Sequence, residues 1–334
     1  VKAAIYNLQQ GHDLPAEAVE ILFTDILLGK CNEEELATFL IALHERGETA
    51  EELAAAARVM RMHMRRFPID RPALDVCGTG GDGLHTYNIS TAAAFVIAAC
   101  GVPVVKHGNR SVSSSSGSTD VLGALGVQIV EDEDVLRRCF EEVNLCFLAA
   151  PHFHPAMRHV APIRQKLKRR TIFNLLGPLC NPAGVRHQLL GVFDRKWLKP
   201  IAETLHALGS ESAWVVHGAD GQDELSITGA TDIVMLQDET LREATAYPKD
   251  AGLPNAELSA IRGGNAIFNA QALLMVLKDQ RSAYHDAVVL NAAAGLCIAG
   301  HAEDLATGAL FAAEALASGR ALATLETLVQ MTSA

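Results

Sequence analysis

Leu74-Asp75-Val76-Cys77-Gly78-Thr79-Gly80-Gly81-Asp82-Gly83 is a short β-rich run that breaks into glycines. A helix-like run, Ser90–Cys100, follows it, and then a second β-rich run, Val102–Val105. The alternation continues. A Ser/Gly loop leads to helix-like Thr119–Leu125, then β-rich Val127–Val130, helix-like Asp134–Val143 and β-rich Leu145–Leu148. Further on come Gln188–Phe193, a helix over 196–208, and Ala213–Val216. This rhythm predicts an α/β fold whose mostly parallel central sheet is covered by helices. Such sheets bind ligands beyond the carboxyl ends of their strands, so the loops after Cys77 and after Val105 are the first candidates for a site. Residues 224–248 are β-rich without helical period and predict antiparallel strands; 269–278, 283–298 and 303–332 read as helices.

Upstream the texture differs. Residues 1 to about 67 show helical patterns and no strand pattern. Asn32…Glu35 and Thr49…Glu52 have capping-box spacing, and each precedes an apolar stripe: Leu36, Phe39, Leu40, Leu43, then Leu53, Ala56, Val59, Met60. The expected organisation is a small all-helical domain over 1–68 and a larger α/β domain over 73–334.

Composition narrows the function classes. The net charge of −11 argues against general nucleic-acid or anionic-membrane binding, and 5% aromatics argue against a base-stacking platform. The seven cysteines are odd in number and contain no C-x-x-C pair, which disfavours a disulfide framework or structural zinc and fits a reducing, cytoplasmic compartment. No signal-peptide pattern is read at the amino end, and the most apolar stretch, Thr91–Val105, is too short to span a bilayer.

Four segments carry candidate chemistry. Gly78–Gly83 matches G-x-G-x-x-G. A dinucleotide fold would open its helix on the glycines and end the next strand in an acid. Here the helix opens near Asn88-Ile89-Ser90-Thr91 and the next β-run ends at Lys106. What remains is an anion site built from backbone N–H groups and a helix amino terminus, with a tight turn as the plainer alternative. Of Asn88, Ser90 and Thr91, one suffices as a cap, which leaves the others for a phosphate or a metal-bound water.

The second segment, Lys106-His107-Gly108-Asn109-Arg110-Ser111-Val112-Ser113 through Ser118, combines cations, an imidazole, an amide and hydroxyls. It suits a polyanion bearing sugar hydroxyls; a flexible Ser/Gly linker explains its serines but not its first five residues. The third runs from Pro151 to Arg170 and includes His152, His154 and a basic cluster, Arg164 to Arg170. Two histidines two apart make a poor helical metal pair, and one arginine facing a site would bind a carboxylate bidentately. The fourth, Asp220-Gly221-Gln222-Asp223-Glu224, suits Mg²⁺ or a hairpin-like turn equally.

Taken in order, Gly78-Thr79-Gly80-Gly81-Asp82, Asn88–Thr91, Lys106–Arg110, His154-Pro155-Ala156-Met157, Thr171-Ile172-Phe173-Asn174, Asn181-Pro182, His217-Gly218 and Asp223-Glu224-Leu225-Ser226 resemble the anthranilate phosphoribosyltransferase family over nearly the whole chain. The resemblance implies a helical domain, with a contribution from about 154–180, hinged to an α/β domain, and homodimers formed through the helical domain. It implies transfer of phosphoribosyl from phosphoribosyl pyrophosphate (PRPP) to the anthranilate amine in tryptophan biosynthesis, with two Mg²⁺ per subunit. Carried onto this sequence, Gly78, Gly81, Asp82, Thr86, Asn88, Ile89, Ser90, Thr91, Lys106, His107, Gly108, Asn109, Arg110, Ser111, Val112, Ser113, Ser114 and Ser118 are expected to bind PRPP. Ser90, Asp223 and Glu224 are expected to hold Mg²⁺, and Gly78, Asn109 and Arg164 to contact anthranilate. No protein nucleophile or general base is assigned.

The chain departs from the family pattern at Ser115, at Leu167-Lys168-Arg169-Arg170, and at Gly263-Gly264-Asn265-Ala266-Ile267-Phe268-Asn269-Ala270, where two acids are missing. Pyrimidine nucleoside phosphorylases share the implied fold but carry a different phosphate loop. A nucleic-acid-binding relative and a relative with a changed acceptor amine complete the alternatives.

Overall fold

The computed structural model describes residues 1–109 and 116–333. The first helices are α1 (Lys2–Gln9), α2 (Ala16–Leu27), α3 (Glu33–Arg46) and α4 (Ala50–His63). Thr49 and Glu52 form the full reciprocal capping box on α4 (3.2 and 2.9 Å). At α3 only half of the box forms: Asn32 accepts from the Glu35 amide at 2.8 Å, while the Glu35 carboxylate lies 3.7 Å from Lys2.

A seven-stranded sheet follows, in the order β3-β2-β1-β4-β5-β6-β7. Its strands are β1 (Leu74–Gly78), β2 (Val104–Gly108), β3 (Leu145–Ala149), β4 (His187–Gly191), β5 (Ser212–Gly218), β6 (Thr231–Gln237) and β7 (Thr240–Ala246). Neighbours are parallel from β3 to β5, and β6 and β7 close the sheet as an antiparallel pair. The chain builds outward from β1 to β3, then returns to lay β4 on the other side of β1. The carboxyl ends of β1 and β4 therefore form the topological switch point.

Two expectations are corrected. Val127–Val130 forms no strand. Val127 is buried, Ile129 and Val130 pack against the core, and the Gln128 amide donates to Thr332 Oγ1 at 3.1 Å, so this segment seals the last helix instead of extending the sheet. The second strand begins two residues later than Val102 and runs through Lys106 and His107, both buried. These two side chains therefore sit on a strand, not in the loop after it.

Helices cover both faces. α5 (Ile89–Ala99), α6 (Ser118–Ala124) and α7 (Glu133–Val143) connect the first strands; α8 (Ala150–Phe153), α9 (Ala161–Leu167) and α10 (Phe173–Leu179) lead to β4; α11 (Leu198–Ala207) leads to β5. The chain ends with α12 (Ala266–Leu277), α13 (Ala283–Ile298), α14 (Leu305–Ala317) and α15 (Arg320–Ser333). α5 and α13 are apolar nearly all round, as suits helices buried between sheet and outer helices. The second apolar cluster joins α1–α4 to Val160, Ile163, Ile172, Phe173 and Leu176, and continues under the sheet to Leu190, Val192 and Val215. The helical bundle thus shares one core with the underside of the sheet.

Candidate active site at the strand carboxyl ends

At the switch point Gly78 of β1 pairs with Gly191 of β4. The segment after β5 folds across this pair. A Cβ on Gly191 would overlap the Asp223 carbonyl, and a Cβ on Gly78 would overlap the Asp223 carboxylate. Only two bare backbones let the acidic segment lie this close. Asp223 Oδ2 accepts from the Gly80 amide at 2.6 Å, and Glu224 Oε1 from the Ser90 amide in the first turn of α5 at 3.1 Å. Thr79 holds the glycine loop to β4, donating from its amide to the Gly191 carbonyl at 2.9 Å and accepting from the Phe193 amide at 3.1 Å.

Asp220, two residues past β5, fixes the acidic segment. Its carboxylate accepts from the Gln222 side chain, from Ser226 Oγ at 2.8 Å and from Thr228 Oγ1 at 2.7 Å. These bonds hold it below the usual carboxylate range although burial acts against them. The Asp-Gly pair read as a turn signal is therefore a turn and a brace for the acids beside it.

Lys106 reaches into the same space from β2. Its Nζ donates to the Val76 carbonyl and to Ser90 Oγ, the latter at 3.2 Å. Burial raises Asp223 to about 7, with Asp82 repulsion adding to it, and raises Glu224 to about 8, with Asp223 adding to it; Lys106 opposes both. Beneath them Asp75 is fully buried, raised to about 6 by burial, and held by Asn181 Nδ2 at 2.9 Å.

This donor set fits Mg²⁺. Asp223 and Glu224 are adjacent carboxylates whose ionisation burial resists, and Glu224 bonds the amide of Ser90, whose hydroxyl faces Lys106; oxygen donors of this kind suit a divalent cation. Among the described residues no three His, Cys, Asp or Glu side chains form a metal site on their own. A hard ion held by one or two carboxylates, with ligand phosphates and water completing its shell, needs no third.

The expected PRPP residues fall into four groups. Gly78, Gly81, Asp82, Asn88, Ser90 and Lys106 gather around the switch point, with Asp82 Oδ1 accepting from Leu84 N at 3.1 Å to shape its own loop, whereas the His107 ring leaves the other face of β2, its Nδ1 3.3 Å from the Gly177 carbonyl. Ile89 and Thr91 are buried as whole residues, so their side chains are packed inside the fold. Thr86 forms an isolated bridge with Arg262, and Ser118 Oγ donates to the Asn109 carbonyl at 3.3 Å. Arg110, Ser111, Val112, Ser113 and Ser114 lie outside the described residues, as does the departure at Ser115. Asn88 stands at the cap position of α5 but makes no capping bond.

Arg164 stands on α9. Burial lowers its pKa, and its guanidinium lies 5.9 Å from the centre of the Phe173 ring. Arg170, six residues on, does reach the glycine loop. It donates to the Gly81 carbonyl and lies 3.8 Å over the Phe193 ring.

His154 is one of the two histidines read above as a poor metal pair. Its ring lies 5.0 Å from that of His107, and both Nε2 atoms are buried without a described partner. Burial lowers His107 to about 3, with His154 adding to the effect, and lowers His154 to about 4. Both rings are therefore neutral near pH 7. Tyr284, whose hydroxyl donates to the Asn88 carbonyl at 3.1 Å, and Asn269, buried beside Asn88, were also missed. Only the Gly263–Ala270 departure drew the eye toward Asn269.

A glycine loop and a helix start at two strand ends, two adjacent carboxylates bonded to their amides, and a helical bundle against the sheet define a transferase of the two-domain glycosyltransferase kind. The glycosyl transferase family, helical bundle domain, matches residues 2–64, and the glycosyl transferase family, a/b domain, matches 70–322. Anthranilate phosphoribosyltransferase from Methylocella silvestris is 48% identical over 330 residues, 99% of this chain and 95% of that protein. The crystal structure of the enzyme of that name from Thermus thermophilus superposes with a TM-score of 0.93 at 43% identity, covering 99% of both chains. The Saccharomyces cerevisiae enzyme in complex with PRPP and Mg superposes with a TM-score of 0.90 at 29% identity, covering 99% of this chain and 97% of that one. The chain belongs to the anthranilate phosphoribosyltransferase family.

Proposed function

We propose that this chain transfers the 5-phosphoribosyl group of PRPP to the amine of anthranilate, giving N-(5-phosphoribosyl)anthranilate and pyrophosphate in tryptophan biosynthesis. The observation that carries this reading is the meeting of Asp223 and Glu224 with the glycine loop, Ser90 and Lys106 at the switch point. Ser90, Asp223 and Glu224 would hold Mg²⁺, two ions per subunit, whose positive charge would offset the negative charge of pyrophosphate oxygens. Glycine-loop amides, the start of α5, Lys106 and the segment from His107 to Ser114 with Ser118 bind PRPP. Gly78, Asn109 and Arg164 bind anthranilate, with Arg164 on its carboxylate.

The amine nitrogen forms the new bond to the anomeric carbon as the bond to pyrophosphate oxygen breaks, with inversion. Positive charge develops on the ribose and negative charge on the leaving group. The protein positions the partners and stabilises the departing anion. The amine is already a nucleophile, so no side chain attacks.

We assign the helical domain to 1–68 with 154–180, and the α/β domain to 73–334. Tyr6, Ile21, Leu28 and Met62 are exposed on the bundle and suit a homodimer formed there; light scattering tests this. A cytoplasmic setting is supported by the free cysteines, and among the described residues no helix is long and apolar enough to cross a membrane. The net charge of −11 speaks against nucleic acid as a partner. The decisive assay is loss of anthranilate fluorescence with PRPP and Mg²⁺, with EDTA and Asp223→Ala/Glu224→Ala controls. Turnover that vanishes in both controls supports the reading, and a folded protein without turnover overturns it.

A further inference from the structure

Asn269, on the first turn of α12, is 2% exposed and spends its whole amide on three bonds. Its Oδ1 accepts from the Gly264 amide at 2.7 Å. Its Nδ2 donates to Asn88 Oδ1 at 3.0 Å and to Ser116 Oγ at 2.9 Å. Ser116 is the first described residue after the serine-rich stretch, and its hydroxyl donates onward to the Gly264 carbonyl at 3.4 Å.

The polarity of this chain of bonds has one fixed end. A backbone N–H only donates, so the Gly264 amide forces Asn269 to turn Oδ1 toward it and Nδ2 toward Asn88. A donor facing Asn88 requires the Asn88 acceptor, and the Asn88 Nδ2 group must then point the other way. Asn88 makes no cap on α5, and its backbone is held separately by Tyr284. The amide orientation of Asn88 is thus set from α12.

We propose that Asn269 is a positioning residue for PRPP, relaying the Gly264 N–H so that Asn88 presents a donor, not an acceptor, to the polyanion. This rests on the assignment of Asn88 to PRPP above. It gives the Gly263–Ala270 segment a role: the acids missing there are not part of the relay, and the residue that is part of it is retained.

The test is titration calorimetry of PRPP with Mg²⁺, together with KM and kcat for both substrates. Asn269→Asp keeps the Gly264 bond and its shape but offers Asn88 only an acceptor, which turns the Asn88 donor inward. The Kd and KM for PRPP are expected to rise about ten- to hundredfold, the scale for hydrogen bonds to charged groups. The KM for anthranilate is expected to move less than about twofold, within the scatter for uncoupled sites. Asn269→Ala only frees Asn88 to turn, so its effect is smaller than that of Asn269→Asp. A residue that merely supported the fold would give the opposite order, because Asp is the better replica. Added negative charge is separated by repeating Asn269→Asp in an Asn88→Ala background, where the relay has no target and the effect disappears. If Asn269→Asp does not fold, Asn88→Asp removes the presented donor directly and raises the PRPP Kd by the same factor. Equal or reversed ranking of Ala and Asp, persistence in the Asn88→Ala background, or an unchanged Kd in Asn88→Asp overturns the relay. A wild-type protein that binds no PRPP instead overturns the assignment on which the relay rests.

Discussion

The carbonyl of Asp223 occupies the place where a side chain on Gly191 would stand. The two residues belong to different strand exits, and their closeness puts the acidic segment directly on the sheet end. Gly191→Ala is therefore expected to displace that segment, lowering stability by about 1–3 kcal/mol, as overpacking does, and abolishing measurable turnover. Gly229→Ala is the control: nothing lies near its Cβ position, and its stability should change by no more than about 0.5 kcal/mol. Urea unfolding and the fluorescence assay read both.

Asp220 touches neither the glycine loop nor α5 through its side-chain bonds, yet three side chains of its own segment converge on it. Asp220→Ala should raise the Mg²⁺ concentration for half-maximal activity by about ten- to hundredfold, the usual cost of losing support behind a metal ligand. Saturating Mg²⁺ should restore most of kcat. A variant whose Mg²⁺ dependence matches the wild type would show that the acids hold their places without this brace.

Arg164 is partly buried, and burial lowers its pKa, so its charge is costly without a partner. Arg164→Ala should raise the KM for anthranilate by roughly 30-fold or more, from the lower end of the about 2–5 kcal/mol seen when a buried charge pair loses a member. The KM for PRPP should stay within about twofold. Equal movement of both KM values would place Arg164 outside the acceptor site.

His107 and His154 set an acid limit. In the unfolded chain both titrate near the ordinary histidine value of 6.5; in the folded chain burial lowers them to about 3 and about 4. Between those values the unfolded state binds more protons, so stability is full above about pH 6.5 and falls as pH drops toward 4 and then 3. His154→Gln should flatten that fall between pH 6.5 and 4, measured as the difference in urea midpoint from the wild type across the range. Parallel curves for the two proteins would show that His154 is not among the groups responsible.

Legibility in the sequence followed distance along the chain. The glycine loop, the start of α5 and the strand bearing Lys106 were readable because each is a local pattern. Val127–Val130 looked like a strand because apolar β-branched residues suit an extended, half-buried segment equally well outside a sheet. The Asp220–Glu224 segment stayed ambiguous because its partner, the Gly80 amide, lies 143 residues away from Asp223. The His107–His154 stack and the Asn269–Asn88 bond join residues that no period connects. Phe268 took attention because it departs from the family pattern. It is half exposed and stacks on Tyr87 at 5.8 Å, while the buried neighbour Asn269 carries the polar contacts.

The closing of one segment over Gly78 and Gly191 also orders events during synthesis. When β4 has emerged, the glycine loop, α5 and Lys106 are all present, yet the carboxylates that face them are still to be made. A nascent chain halted before Asp223 carries the glycine loop and the start of α5 without the two acids that accept from their amides. Such long-range closures are slow to form, because loop entropy is lost before the contacts repay it. The acids are therefore set against the glycine loop and α5 only once the chain has been made through Glu224.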